Sequence, residues 1–215
     1  MFDRKLSRER LLVGIGGNTG AGKSTVASEL RRYGAKIIEA DTLGWTLLAK
    51  GTPQTNELVK AFGAGILGKT GRVDRKVLAN KAFASKANLA KLNKITHPAL
   101  IEKVRREVER HKKGLVILDA ALLFLWGLDK EMDVSILITA PERVKLRRLR
   151  DAGLSEDEAK ARLKLQESDA KVWRRADFVL ENSGSFAELK RKSRALWNFF
   201  YSAKFENFNK NGVKQ

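Results

Sequence analysis

The clearest chemistry in the chain is carried by Gly17-Asn18-Thr19-Gly20-Ala21-Gly22-Lys23-Ser24, with Thr25 next. The spacing is that of a phosphate-binding loop, G-x-x-x-x-G-K-[ST]. An apolar run, Leu11 to Ile15, stands directly before it, and a helical pattern, Thr25 to Arg32, stands directly after. Glycine is needed because the loop must turn its N–H groups inward and bring backbone against phosphate oxygens, where a Cβ would obstruct. The helix behind the loop aims its positive end at the same anion. Lys23 supplies a point charge that can follow the β- and γ-phosphates, and the Ser24 hydroxyl is placed to coordinate Mg²⁺. These residues predict binding of ATP or a similar nucleoside triphosphate. They leave open what receives the phosphoryl group.

Two carboxylates stand at strand ends near this loop in sequence logic. Asp119 closes the apolar run Leu115 to Leu118, at the end where an α/β sheet meets its ligand, and is expected to hold Mg²⁺. Asp41 closes Lys36 to Glu39 in the same way, so one carboxylate is expected near the metal and the other near the acceptor hydroxyl. An N-cap or turn role is the alternative for each. Between Arg143 and Arg150 the chain carries Arg143, Lys145, Arg147, Arg148 and Arg150 and no acid. Such a run is either a solvated helix face or a lid that brings arginines, Arg150 among them, onto transferring phosphates. Arg162 and Gln166, four apart, are expected on one helix face. His97, before Pro98, is a candidate acid, base or phosphate contact, or a buried capping residue.

Positioning these groups requires strands that end at the site and helices that return the chain. Leu11 to Ile15, Lys36 to Glu39, Leu115 to Leu118, Val134 to Thr139 and Phe178 to Leu180 read as five short buried strands, most of them separated by helical patterns. This alternation predicts an α/β domain with a parallel sheet, since parallel neighbours need a crossover. The stretch 42–113 is too long for one crossover and holds helical patterns at Gln54 to Phe62, Arg75 to Phe83 and Ala99 to His111, so it reads as an inserted helical lobe. Ser155 with Glu158, and Ser185 with Glu188, have the spacing of capping boxes. The expected organisation is a core of residues 11–41 and 114–201, with a lid around 142–165, the lobe 42–113, and a frayed polar tail at 202–215.

Composition narrows the class. With 215 residues the chain can bury a large core, and with no cysteine that core has no disulfides. The start MFDRKLSRER lacks an apolar segment, and the run Leu115 to Leu128 is interrupted by Asp119, so neither a signal peptide nor a membrane span is expected and a cytoplasmic protein is. Lysine and arginine number 43 against 25 acidic residues, a net charge of +18 that favours anionic partners.

The ordered series of motifs resembles the dephospho-CoA kinase family from about Leu12 to about Leu196. The resemblance rests on the loop from Gly16 to Thr25, on Glu39-Ala40-Asp41, and on Phe62-Gly63 followed by Gly71-Arg72-Val73-Asp74-Arg75 and Leu78. It continues through Leu92 to Pro98, Asp119 to Phe124, Arg162 to Gln166, Ala176-Asp177 and Asn182. It implies a P-loop kinase fold with a five-stranded parallel sheet flanked by helices, an inserted helical substrate lobe and a lid. It also implies transfer of the ATP γ-phosphoryl to the ribose 3′-hydroxyl of dephospho-CoA, with Asp41 as base and Asn182 near the adenine. Arg75, His97 and Leu122 fall in segments that build the acceptor side. Departures are Trp45, where the family has His or Arg, Trp126 in place of an acidic residue, and Leu146 in place of a lid arginine. Two rivals remain: a P-loop kinase acting on another nucleoside or nucleotide hydroxyl, and a basic nucleic-acid-binding protein that kept the ATP site. Small-molecule substrates are the expected partners, with no obligatory nucleic acid and no membrane; oligomeric state is not legible.

Overall fold

The computed structural model describes residues 9–166 and 169–209. Its elements run β1 (Arg10–Gly16), α1 (Lys23–Arg32), β2 (Lys36–Glu39), α2 (Ala40–Leu47), α3 (Pro53–Phe62), α4 (Arg75–Phe83), α5 (Lys86–Arg110), β3 (Gly114–Asp119), β4 (Val134–Thr139), α6 (Glu142–Asp151), α7 (Glu156–Leu165), α8 (Asp169–Val172), β5 (Phe178–Glu181) and α9 (Phe186–Asn209). The five strands form one sheet in the order β2-β3-β1-β4-β5. β1 lies at its centre, pairing parallel with β3 and with β4, and β4 pairs parallel with β5. The expected all-parallel sheet flanked by helices is the observed one.

Central strands covered on both faces must be apolar throughout, and these are. Val13 and Ile15 of β1, Ile117 of β3, and Ile136 and Ile138 of β4 are fully buried with Val26 and Leu30 of α1 and Phe200 of α9. Each such side chain contributes about 1.5–3 kcal/mol relative to leaving it in water. Outer strands are shorter and more mixed, with β2 and β5 spanning four residues each.

The chain divides into two compact units, one running up to Ile38 and resuming at Val108, the other Glu39–Glu107. The second unit has its own apolar centre in Leu48, Leu58, Ile66 and Leu78, with Trp45 and Phe62 packed against it. Two of its helices, α3 and α4, begin on side-chain caps. Thr52 accepts from the Thr55 N–H and is followed by Pro53, and Asp74 accepts from the N–H groups of Lys76 and Val77.

Three local expectations are corrected. Asp41 does not end a strand: β2 stops at Glu39, which is the N-cap of α2, so Asp41 sits in the first turn of a helix. α5 does not begin after Pro98 but runs 25 residues with Pro98 inside. A proline there removes one backbone donor from the helix. The helical backbone of α9 continues past Ser202 to Asn209, where a frayed tail was expected; the remainder of that expected tail, 210–215, lies outside the described residues.

Candidate active site

Between β1 and α1 the loop residues Gly17, Gly20 and Gly22 have φ of +135°, +79° and +101°, a region L side chains rarely occupy. None of them has room for a side chain, and a Cβ on Gly20 would meet the Lys145 carbonyl oxygen at 2.9 Å. A Cβ on Gly17 would overlap the carbonyl oxygen of Ile138, and one on Gly22 would overlap Nδ2 of Asn182. Gly22 is the N-cap of α1, so the orphan N–H groups of the first turn open toward the loop. Lys23 is buried and its Nζ donates to the Asn18 carbonyl at 3.3 Å, while Ser24 is exposed and Thr25 half-buried. The loop that the spacing predicts is formed, with α1 behind it.

The outer side of the loop is gripped by residues from the far half of the chain. Gln166 Oε1 accepts from the Thr19 N–H at 2.9 Å and its Nε2 donates to Thr19 Oγ1 at 3.0 Å. Asn18 Nδ2 donates to Asp169 Oδ1 at 2.9 Å. The other Asp169 oxygen accepts from buried Lys145 at 2.7 Å and from the Thr139 hydroxyl. Arg148 donates through Nη1 to the carbonyls of Gly20 (3.1 Å) and Ala21 (3.3 Å), and through Nη2 to the carbonyl of Asn182 (3.2 Å). Asn182 is buried and donates its amide to the Ala21 carbonyl at 2.8 Å. Burial, and after it the neighbouring Arg147 charge, holds the Arg148 guanidinium below its ordinary value.

Gly22, Thr25, Arg147, Arg148, Asn182 and the 184–186 turn line a cavity of about 320 Å³ beside the loop. Its size and its place next to phosphate-binding backbone suit a nucleobase. Asn182, expected near the adenine, is one of the residues that line this cavity.

Asp119 ends β3 half-buried, level with Ile15 in the parallel register, and the next residue, Ala120, donates its N–H to the Ile15 carbonyl at 3.0 Å. Half-buried Leu122 follows in the turn, its carbonyl accepting from Trp126 N–H at 2.9 Å. Ser24 and Asp119 offer the hard oxygens Mg²⁺ takes, and no group of three or more His, Cys, Asp or Glu among the described residues holds a metal unaided. That donor set fits a cation that arrives with nucleotide phosphates and keeps several waters.

Some expected placements differ. Gln166 is the C-cap of α7, with φ −87° and ψ 152°, so it leaves the helical rows that would have set it beside Arg162 and reaches Thr19 instead. Arg162 is half-buried on α7. Arg150 is exposed and pairs with Glu156 at 3.4 Å, whereas its neighbour Arg148 touches the loop. Neither Arg148 nor Asp169 stood among the expected site residues. Arg148 lay within the noticed basic run, but nothing in the spacing told it from Arg150.

In the second unit Asp41 is exposed on α2, and Arg75, first residue of α4, lies over the Trp45 ring at 4.1 Å. His97 is half-buried on α5, and burial lowers its pKa below the ordinary imidazole value.

The model of the dephospho-CoA kinase family matches residues 11–188 of this chain. The chain belongs to the dephospho-CoA kinase family. A dephospho-CoA kinase of Corynebacterium diphtheriae is 38% identical over 193 residues, covering 88% of this chain and 96% of the relative. One of Aquifex aeolicus is 39% identical over 188 residues, covering 86% and 95%. Among solved structures, the Thermus thermophilus protein TT1252 superposes with a TM-score of 0.71 at 33% identity, covering 87% of this chain and 96% of that one. Dephospho-CoA kinase from Campylobacter jejuni, at 24% identity and a TM-score of 0.66 over 90% of this chain and 98% of that one, shares the fold. Within the dephospho-CoA kinase family, this chain's Trp45 is accounted for locally: its ring carries the Arg75 guanidinium, a contact of the cation–π kind.

Proposed function

We propose that this chain transfers the γ-phosphoryl group of ATP to the ribose 3′-hydroxyl of dephospho-CoA, giving coenzyme A and ADP. The observation that carries this reading is a complete phosphate loop, fixed by Arg148, Gln166, Asp169 and Asn182 next to a base-sized cavity, in a chain matched to the family from residue 11 to 188.

Phosphoryl transfer needs position and charge more than covalent help from the protein. The N–H groups around Gly20 to Thr25 and the N-terminus of α1 hold the phosphates, and Lys23 turns from the Asn18 carbonyl to the β,γ-oxygens. Ser24 and Asp119 would hold Mg²⁺, whose charge offsets that of the phosphates. The bond from the ribose 3′-oxygen to the γ-phosphorus forms while the bond to the β,γ-bridging oxygen breaks, and ADP leaves with that electron pair. Asp41, exposed at the start of α2, accepts the hydroxyl proton. Arg150, exposed and paired with the exposed Glu156, swings onto the transferring group as the lid closes. The lobe 42–113, with Arg75, His97 and Leu122 of the 121–127 turn, takes the acceptor. Small-molecule partners and a cytoplasmic place go with this reading; no helix among the described residues is long and apolar enough to cross a membrane.

The test is ADP release with dephospho-CoA against a panel of nucleosides and nucleoside monophosphates. Dephospho-CoA should give the highest kcat/KM; a higher value for any other hydroxyl would replace the acceptor and leave the ATP site standing.

A further inference from the structure

We propose that Arg148 is a positioning residue that fixes the phosphate loop to the base pocket, so that ATP is bound as one unit rather than by its phosphates alone. This rests on the reading of the site as an ATP site. One guanidinium spans two parts of that site: Nη1 donates to the Gly20 and Ala21 carbonyls of the loop, and Nη2 to the carbonyl of Asn182 after β5. A planar fork with donors on both arms makes such a bridge, and an ammonium does not reproduce it. Asn182 closes the circuit by donating to the same Ala21 carbonyl at 2.8 Å. Arg148 and Asn182 also both line the cavity of about 320 Å³. The Ala21 carbonyl, turned outward to both side chains, leaves the N–H of the same peptide, that of Gly22, on the side where phosphates bind, while the Ala21 N–H is taken by the Asn18 carbonyl at 3.1 Å. The separation between phosphate-binding backbone and base cavity is therefore set by Arg148 from α6 together with Asn182. Its neighbour Arg150 carries the same charge but is exposed and pairs with Glu156 at 3.4 Å.

The experiment compares Arg148→Met, which keeps the apolar stem and loses every donor, with Arg148→Lys and with Arg194→Met, which removes one charge from the exposed face of α9. Calorimetry gives the Kd of ATP and of inorganic tripolyphosphate, and ATP turnover gives KM and kcat. Arg148→Met should weaken ATP about tenfold or more and tripolyphosphate by much less, with KM moving more than kcat, and Arg148→Lys should recover only part. Arg194→Met should match the parent. Equal weakening of ATP and tripolyphosphate, or a lower melting temperature with an unchanged ratio of the two Kd values, would overturn the assignment and leave Arg148 a general charge or a structural contact. A parent chain that binds no ATP would overturn the site reading itself, and the positioning role with it.

Discussion

Lys23 is buried at the phosphate loop, where its Nζ donates to the Asn18 carbonyl at 3.3 Å. Lys23→Ala should lower kcat severely while the melting temperature stays within a few degrees, checked by turnover and calorimetry on one preparation. Asp41→Asn should keep ATP and acceptor affinity within a fewfold and lower kcat roughly 10²-fold or more, the scale of a lost general base. Asp119→Asn should regain part of its loss at high Mg²⁺, because mass action offsets a binding defect. Rescue of Asp41→Asn by Mg²⁺, with none for Asp119→Asn, would exchange the two roles. His97 gives a pH dependence of stability. Burial lowers its folded pKa, so as pH falls through about 6.5 the unfolded chain takes the proton first and stability is lost on the acid side. His97→Gln should flatten the fall in melting temperature between about pH 8 and about pH 5. The loop was legible in the sequence because its glycines, lysine and serine lie within eight positions of one another. Arg148 and Asp169 were not, because their partners stand 128 and 151 positions away and only the folded sheet brings them together.

The elements that carry the site were readable wherever a local signal set their limits. β2 and β4 have the bounds that alternation and apolar runs gave, and the Ser155/Glu158 box caps α7 with both reciprocal bonds made. Ser155→Ala should cost about 1 kcal/mol, read as a shift of the urea midpoint at constant m-value. A shift within error would mean that α7 is held by Ala159 and its tertiary contacts rather than by its cap. Boundaries failed where a local rule met a longer constraint. Pro98 reads as a helix start, yet α5 continues through it, because the residues on both sides are committed to one long helix. Asp41 reads as a strand end, yet the chain enters α2 with no connecting loop, Glu39 serving as the cap. The turn at Gln166 is the costliest of these to miss, because its extended backbone sends the side chain to Thr19 and so makes α7 part of the phosphate site.

At the scale of the whole molecule a net charge of +18 surrounds a site for polyanions. Such a field raises the local concentration of ATP and is screened by salt, so the Kd for ATP should rise severalfold between about 50 mM and about 500 mM KCl. A flat response would confine the useful charge to the few groups in direct contact. The phosphate loop lies in one compact unit, and Asp41, Arg75 and His97 lie in the other. The most direct measurement is the fate of the phosphoryl group when the chain is given ATP and dephospho-CoA. The account predicts one phosphorylated product per ADP formed, with the new phosphate on the ribose 3′-oxygen by phosphorus NMR. ADP formed without a phosphorylated acceptor, or a phosphate on any other oxygen, would contradict it.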